Sequence, residues 1–173
     1  MITRYAANDA FGVFGPRFIA MDPGKDGGCV VVVDGVPVEA LHTALEADTI
    51  SDAMTRHQTD VLIVERQFVK MNASSALELA WQTGMVLGVV AEQLHSLNIV
   101  EVYPSTWQAV QRRMSGVSGR LNRQQGIELA NICAKKAMAP IWEAQVSSAK
   151  KPVIEGISSA WGIAAWWLGA QVE

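Results

Sequence analysis

The run Val61-Leu-Ile-Val64 constrains this chain more than any other segment. Four apolar residues in a row, three of them β-branched, offer no polar face to water. Such a segment belongs at the centre of a sheet that is covered on both sides. Glu65 follows at once and places a carboxylate at the strand end. Upstream, Arg17 to Met21 reads as a short strand that stops at Asp22-Pro23-Gly24. Cys29 to Val33 is a β-branched run, Asp34-Gly35 is a hairpin turn signal, and Val36 to Ala40 is the third strand. Asp48 to His57 has a helix-start pattern. Downstream, Ser74 to Leu97 reads as a long helix, Ile99 to Tyr103 as a strand and Ser105 to Gln111 as a short helix. After a Ser/Gly/Arg loop from Met114 to Leu121, Asn122 can cap a helix that runs to about Met138. A loop containing Pro140 and Pro152 follows, and the final helix is expected to begin near Glu155.

Three strands in a hairpin meander, then helix, strand, helix, strand and further helices, is the order of a ribonuclease-H-like α/β domain. The expected fold is a central mixed five-stranded sheet flanked by helices. The 173 residues suit one domain, from 16 to 173, behind a loose, flexible extension over residues 1 to 15 that ends at Gly15-Pro16. Half the residues are apolar and 18% are charged, which excludes a disordered chain. Met1 to Pro16 contains no apolar h-region, so no secretory signal is expected. Gly156 to Val172 carries no charge, but its 17 residues include Ser and Gly and favour a buried helix over a membrane span. Cys29 and Cys133 lack metal-ligand spacing and read as thiols in apolar runs, which suits a reducing cytoplasm.

The net charge of −3 conceals an asymmetry. Residues 112 to 151 carry net +6, whereas residues 1 to 111 carry −7. A solvated basic face would give the same count, but a phosphate-binding surface beside an acidic metal site requires it.

Asp22 and Glu65 end strands that are expected to be neighbours, at the edge where open α/β sheets usually bind ligands. Paired carboxylates repel unless a divalent cation neutralises them, and Mg²⁺ commonly takes one or two carboxylates plus waters and phosphate oxygens. Two such ions about 4 Å apart stabilise both the attacking and the leaving oxygen of an in-line phosphodiester displacement. Taken singly, Asp22 also fits a residue stabilising its own turn, and Glu65 a solvated strand end. Gly24, Gly27 and Gly28 beside Asp22 open space for the approach of a backbone.

The segment Ile19-Ala-Met-Asp-Pro-Gly-Lys-Asp-Gly-Gly28 resembles the first strand and turn of RuvC-type Holliday junction resolvases. Ile63-Val-Glu-Arg-Gln-Phe-Val-Lys-Met-Asn-Ala-Ser-Ser-Ala-Leu77 is similar to their second motif, and Leu79-Ala-Trp-Gln-Thr-Gly-Met-Val-Leu-Gly88 to the helix that follows. Val102-Tyr-Pro-Ser-Thr-Trp107 is similar to the next strand and its Pro-containing turn. Asn122-Arg-Gln-Gln125 stands in the place of a basic DNA-contacting segment. The likeness runs in order from about residue 17 to 170 and leans towards the phage-encoded branch. It implies a metal-dependent endonuclease that cuts four-way junctions and other branched DNA, works as a homodimer and uses one or two Mg²⁺ or Mn²⁺ ions but no organic cofactor. Asp22 and Glu65 would be metal ligands, and Phe68 the aromatic that pushes against bases at the branch point, although a core contact is the plainer role for it. Asn72 precedes the helix in the same motif. The candidate phosphate contacts are Lys70, Arg113, Arg120, Arg123, Lys150 and Lys151.

One position departs from the pattern. In Ser159-Ala-Trp-Gly-Ile-Ala164, Ser159 stands where the family carries an aspartate, and a hydroxyl is a poor Mg²⁺ ligand. Glu155 lies four residues earlier on the same helical face and could reach the same cation, or could simply stabilise the helix N-terminus. Three readings follow. Glu155 is the native third ligand; or a catalytic aspartate has been replaced at 159; or the chain binds branched DNA without cutting it. A related nuclease for flaps, forks or RNA–DNA hybrids is a further alternative. Asp26 is assigned to the turn, and His42, His57 and His95 to no catalytic role. Ile157, Ala160, Trp161, Ala164, Trp167 and Leu168 form a helical core stripe that leaves Trp166 outside as a second contact surface. Leu77, Trp81, Met85 and Gly88 share a similar spacing on the long helix, the expected dimer interface, though core packing is the plainer role for each.

Overall fold

The computed structural model describes residues 17–43, 45–66, 73–94, 96–119 and 121–170. The extension over residues 1 to 15 lies outside them. Strands β1 (Phe18–Asp22), β2 (Gly28–Val33), β3 (Val36–Leu41), β4 (Val61–Glu65) and β5 (Asn98–Val102) form one mixed sheet in the order β3-β2-β1-β4-β5. The first three pair antiparallel, while β1, β4 and β5 run parallel. The β2–β3 turn is tight because Asp34 and Gly35 both adopt positive φ, 52° and 79°, the geometry of a two-residue hairpin loop.

The strand expected at the centre, β4, is interior, lying between β1 and the edge strand β5, and the strand residues divide cleanly by parity between the two faces. Ile19, Met21, Leu62, Val64 and Ile99 pack on one face beneath α1 (Ala47–His57) and α2 (Ala73–Gln93). Phe18, Ala20, Val61, Ile63, Val100 and Val102 pack on the other, where α3 (Pro104–Met114), α4 (Arg123–Ala137) and α6 (Lys151–Ala170) contribute to one core. A short turn of helix, α5 (Ala139–Ile141), and a π-helical turn over Trp142–Val146 join α4 to α6, through a segment expected to be loop.

Several boundaries differ from the sequence reading. The final helix starts at Lys151, four residues before Glu155, and Pro152 sits in its first turn. Proline is tolerated there because the first-turn amides have no intrahelical acceptor. Trp166 is buried at 7% exposure and lies 5.9 Å from Trp167, so it belongs to the core. The single-stripe expectation fails because α6 packs against the sheet, α3 and α4 together and is covered on more than one side. On α2 the outcome is reversed: Leu77, Trp81 and Met85 are exposed at 61%, 67% and 52%. No helix among the described residues is long and apolar enough to cross a membrane.

Gly28, beside Asp22, has a different use from the one expected, and it shares that use with Gly156 of α6 across the turn. A Cβ on Gly28 would meet Ile157 Cγ1 at 2.6 Å, and a Cβ on Gly156 would meet the Asp26 carbonyl oxygen at 2.5 Å. The space they open is filled by α6 itself, whose backbone closes onto the β1–β2 turn. Gly156→Ala therefore forces backbone apart and should destabilise the fold by about 1–3 kcal/mol. Its urea unfolding midpoint should fall while circular dichroism stays native.

Candidate metal centre

Asp22 follows Phe18 and Ala20 by the two-residue alternation of β1, and Glu65 follows Val61 and Ile63 on β4. Both carboxylates therefore belong to the face covered by α6. The parallel register pairs Met21 with Val64, so the next residue on each strand is the acid, and the two sit side by side at the sheet end. Burial pushes the Asp22 carboxyl up to about 8, and the charge of Glu65 adds to that, while a hydrogen bond from the Ser159 hydroxyl acts in the opposite direction. Burial likewise raises Glu65, against which the Trp107 indole N–H donates to Oε2 at 2.7 Å. The Cys29 thiol beneath them is raised by burial and by Asp22 and donates to the Thr43 carbonyl at 3.4 Å, a structural role.

A cleft of about 480 Å³ opens over this pair. One wall is α6, carrying Pro152, Glu155, Gly156 and Ser159; the turn contributes Pro23, Asp26 and Gly27. The facing wall is α3 with Trp107, Gln108, Gln111 and Arg112, together with the start of α4. That start is set by a reciprocal capping box, in which Asn122 Oδ1 accepts from the Gln125 amide at 2.9 Å and Gln125 Oε1 accepts from the Asn122 amide at 3.0 Å. Arg123 and the positive end of the α4 dipole thereby face the cleft opposite the carboxylates. One side is built for a cation and the other for an anion.

Of the predicted residues, the cleft gathers Asp22, Glu65, Glu155, Ser159 and Arg123. Lys151 stands at its edge, 3.9 Å from Glu155. Arg113 and Lys150 are not among the lining residues. Phe68, Lys70, Asn72, Arg120 and His95 lie outside the described residues. His57 pairs with Glu39 at 2.7 Å, and His42 contacts the Gln145 carbonyl, both away from the cleft. Trp107, Gln108, Gln111 and Arg112 escape the sequence reading, although their i, i+1, i+4, i+5 spacing marks one face of a helix and is a usable signal. Among the described residues no three His, Cys, Asp or Glu side chains are clustered for a metal. Glu155 stands on the wall, apart from the central pair. The pair itself fits a hard divalent cation: its donors are all oxygen, and a cation bound there would offset the burial and mutual repulsion that raise both carboxyls.

Comparison with known proteins finds one matching family and several structures of the same fold. The family model described as crossover junction endodeoxyribonuclease RuvC matches residues 25–140, more than half of the chain. The match includes Glu65 and stops short of both Asp22 and α6. No curated protein matches the chain significantly. Similar solved structures include the yeast mitochondrial Holliday junction resolvase Ydc2, with a TM-score of 0.60 at 12% identity over 92% of this chain and 81% of that one. Thermus thermophilus RuvC aligns with a TM-score of 0.56 at 16% identity, over 88% of this chain and 95% of its own. The T. thermophilus RuvC in complex with Holliday junction substrate gives 0.54 at 12% identity, over 88% and 94%. At these identities the likeness establishes a shared fold.

The raised Asp22 carboxyl has a consequence for stability. The folded chain binds that proton more tightly than the unfolded chain, whose aspartate lies near 3.8. The contribution of Asp22 is thus most favourable below about pH 4 and is lost as pH rises through about 8. Without divalent cations, Asp22→Asn should be more stable than the parent at pH 8, by an amount on the order of several kcal/mol, with the gap closing towards pH 4. Urea unfolding of both proteins in EDTA across that range measures it.

Proposed function

The chain belongs to the crossover junction endodeoxyribonuclease RuvC family, whose members are divalent-metal-dependent, structure-selective junction nucleases, and from that premise we propose that it cuts four-way DNA junctions at Asp22 and Glu65. The observation that carries this reading is the half-buried carboxylate pair, side by side at the ends of β1 and β4, facing a cationic wall across one cleft. Asp22 and Glu65 hold one or two Mg²⁺ or Mn²⁺ ions. Bound there, such a cation lowers the pKa of water and neutralises charge on the scissile phosphate. Ser159 orients Asp22 through its hydroxyl, and Glu155 supplies a further carboxylate from the first turns of α6. Arg112 and Arg123 receive phosphate oxygens, which adds affinity and salt dependence but little base readout. A solved neighbour of the same fold holds a Holliday junction substrate, which supports branched DNA as the partner.

We place the dimer interface on α2. Leu77, Trp81, Met85 and Val89 form an exposed apolar row at intervals of four residues. A two-fold pair of sites meets the demand of cutting symmetric strands. Trp81→Glu should shift the molecular mass by light scattering from dimer to monomer. The free thiols of Cys29 and Cys133 suit a reducing cytoplasm, bacterial or phage-infected.

Ser159 favours one other reading, that of a junction-binding protein without cleavage, because a hydroxyl contacts Asp22 at the position where the family carries a carboxylate. A synthetic four-way junction incubated with Mg²⁺, with linear duplex as control, separates the two. Junction cleavage is expected, with Asp22→Asn lowering its rate by at least about 10³-fold and Glu155→Gln by about 10-fold or more. Binding without cutting, with cleavage gained on Ser159→Asp, would establish the binding protein instead. Full cleavage by Asp22→Asn would overturn the site.

A further inference from the structure

We propose that Trp107 is a positioning residue for Glu65, its indole N–H fixing one carboxylate oxygen while Gly162 of α6 keeps the indole seated. The role rests on the metal-centre reading above and adds a residue to it. Nε1 lies 2.7 Å from Glu65 Oε2, a short charge-assisted hydrogen bond. An indole N–H can only donate, so the bond favours the ionised carboxylate that a cation requires. Because Oε2 takes this bond, Oε1 is left free of it on a side chain that lines the cleft.

The indole has little freedom to abandon that position. Trp107 is 4% exposed within the α6-side core. A Cβ on Gly162 would stand 2.6 Å from its Cζ3 and 2.7 Å from its Cε3, so the ring lies directly against helix backbone. The same helix presents Ser159 to Asp22. A single helix thus orients both carboxylates, one directly through a hydroxyl and the other through a packed ring. A purely space-filling tryptophan would need no particular atom at Nε1, and this separates the two roles.

The test removes the N–H, and in one variant it keeps the bicyclic ring. Trp107→Phe and a site-specific replacement of Trp107 by β-(3-benzothienyl)alanine, in which sulfur replaces the N–H in an isosteric bicycle, are compared with the parent. Mn²⁺ affinity is read by isothermal titration calorimetry, alongside junction cleavage against Mg²⁺ concentration and thermal melting. Both variants should bind Mn²⁺ about 10-fold more weakly and need correspondingly more Mg²⁺ for half-maximal cleavage, the usual size of an outer-shell effect. The benzothienyl variant should melt close to the parent. Parent-like Mn²⁺ affinity in that variant overturns the positioning role and leaves a core tryptophan. A parent chain that binds no Mn²⁺ overturns the metal centre itself, and this role with it.

Discussion

Two partly buried carboxylates held side by side repel each other when both are ionised, and the register and docking of the surrounding elements hold them there. The parallel register of β1 and β4 brings Asp22 and Glu65 level, and strand alternation turns both towards α6. Each then receives one hydrogen bond, from Ser159 and from Trp107. Those bonds oppose the effect of burial but leave both carboxyls raised. On the proposed reading, a divalent cation would offset that effect by stabilising both ionised carboxylates, and the basic wall across the cleft would complement a phosphate.

Helix α6 carries the opposing demands of stability and chemistry. Ile157, Trp161, Ile163 and Trp167 bury one of the larger parts of the core, with Trp167 edge-on to Phe18 at 6.4 Å. Burial on this scale offsets the penalty of an acidic pair nearby, since each large side chain contributes roughly 1.5–3 kcal/mol. The small residues of the same helix have the opposite task. Gly156 lets α6 close onto the Asp22 turn, and Gly162 admits the Trp107 ring. Bulk and its absence alternate along one helix, so the core and the carboxylate cleft are set by the same docking event.

Features governed by local rules are legible in the residues themselves. The Asp34-Gly35 hairpin, the apolar β4 strand and the Asn122 cap each follow from chemistry within a few residues, and each is present. The sequence misleads where a residue's meaning depends on distant partners. Pro152 reads as loop because its tolerance in a first turn depends on where the helix begins. Trp166 reads as surface because periodicity assumes one buried face, while α6 is enclosed by the sheet and two helices. Gly27 and Gly28 read as room for a substrate backbone, yet the backbone that approaches them is that of α6.

The sequence by itself determined the order of strands and helices along the chain, the acids at the ends of the first and fourth strands and the basic stretch that follows, because pattern and spacing encode them directly. It also placed Glu155 and Ser159 on one helical face. Tertiary structure alone decided that Trp107 would meet Glu65, 42 positions away, and that Ser159 would meet Asp22. Those meetings depend on how closely α6 and α3 settle on the sheet. That distance is set by glycines whose missing Cβ matters only once α6 has docked, Gly156 against the turn backbone and Gly162 against the Trp107 ring.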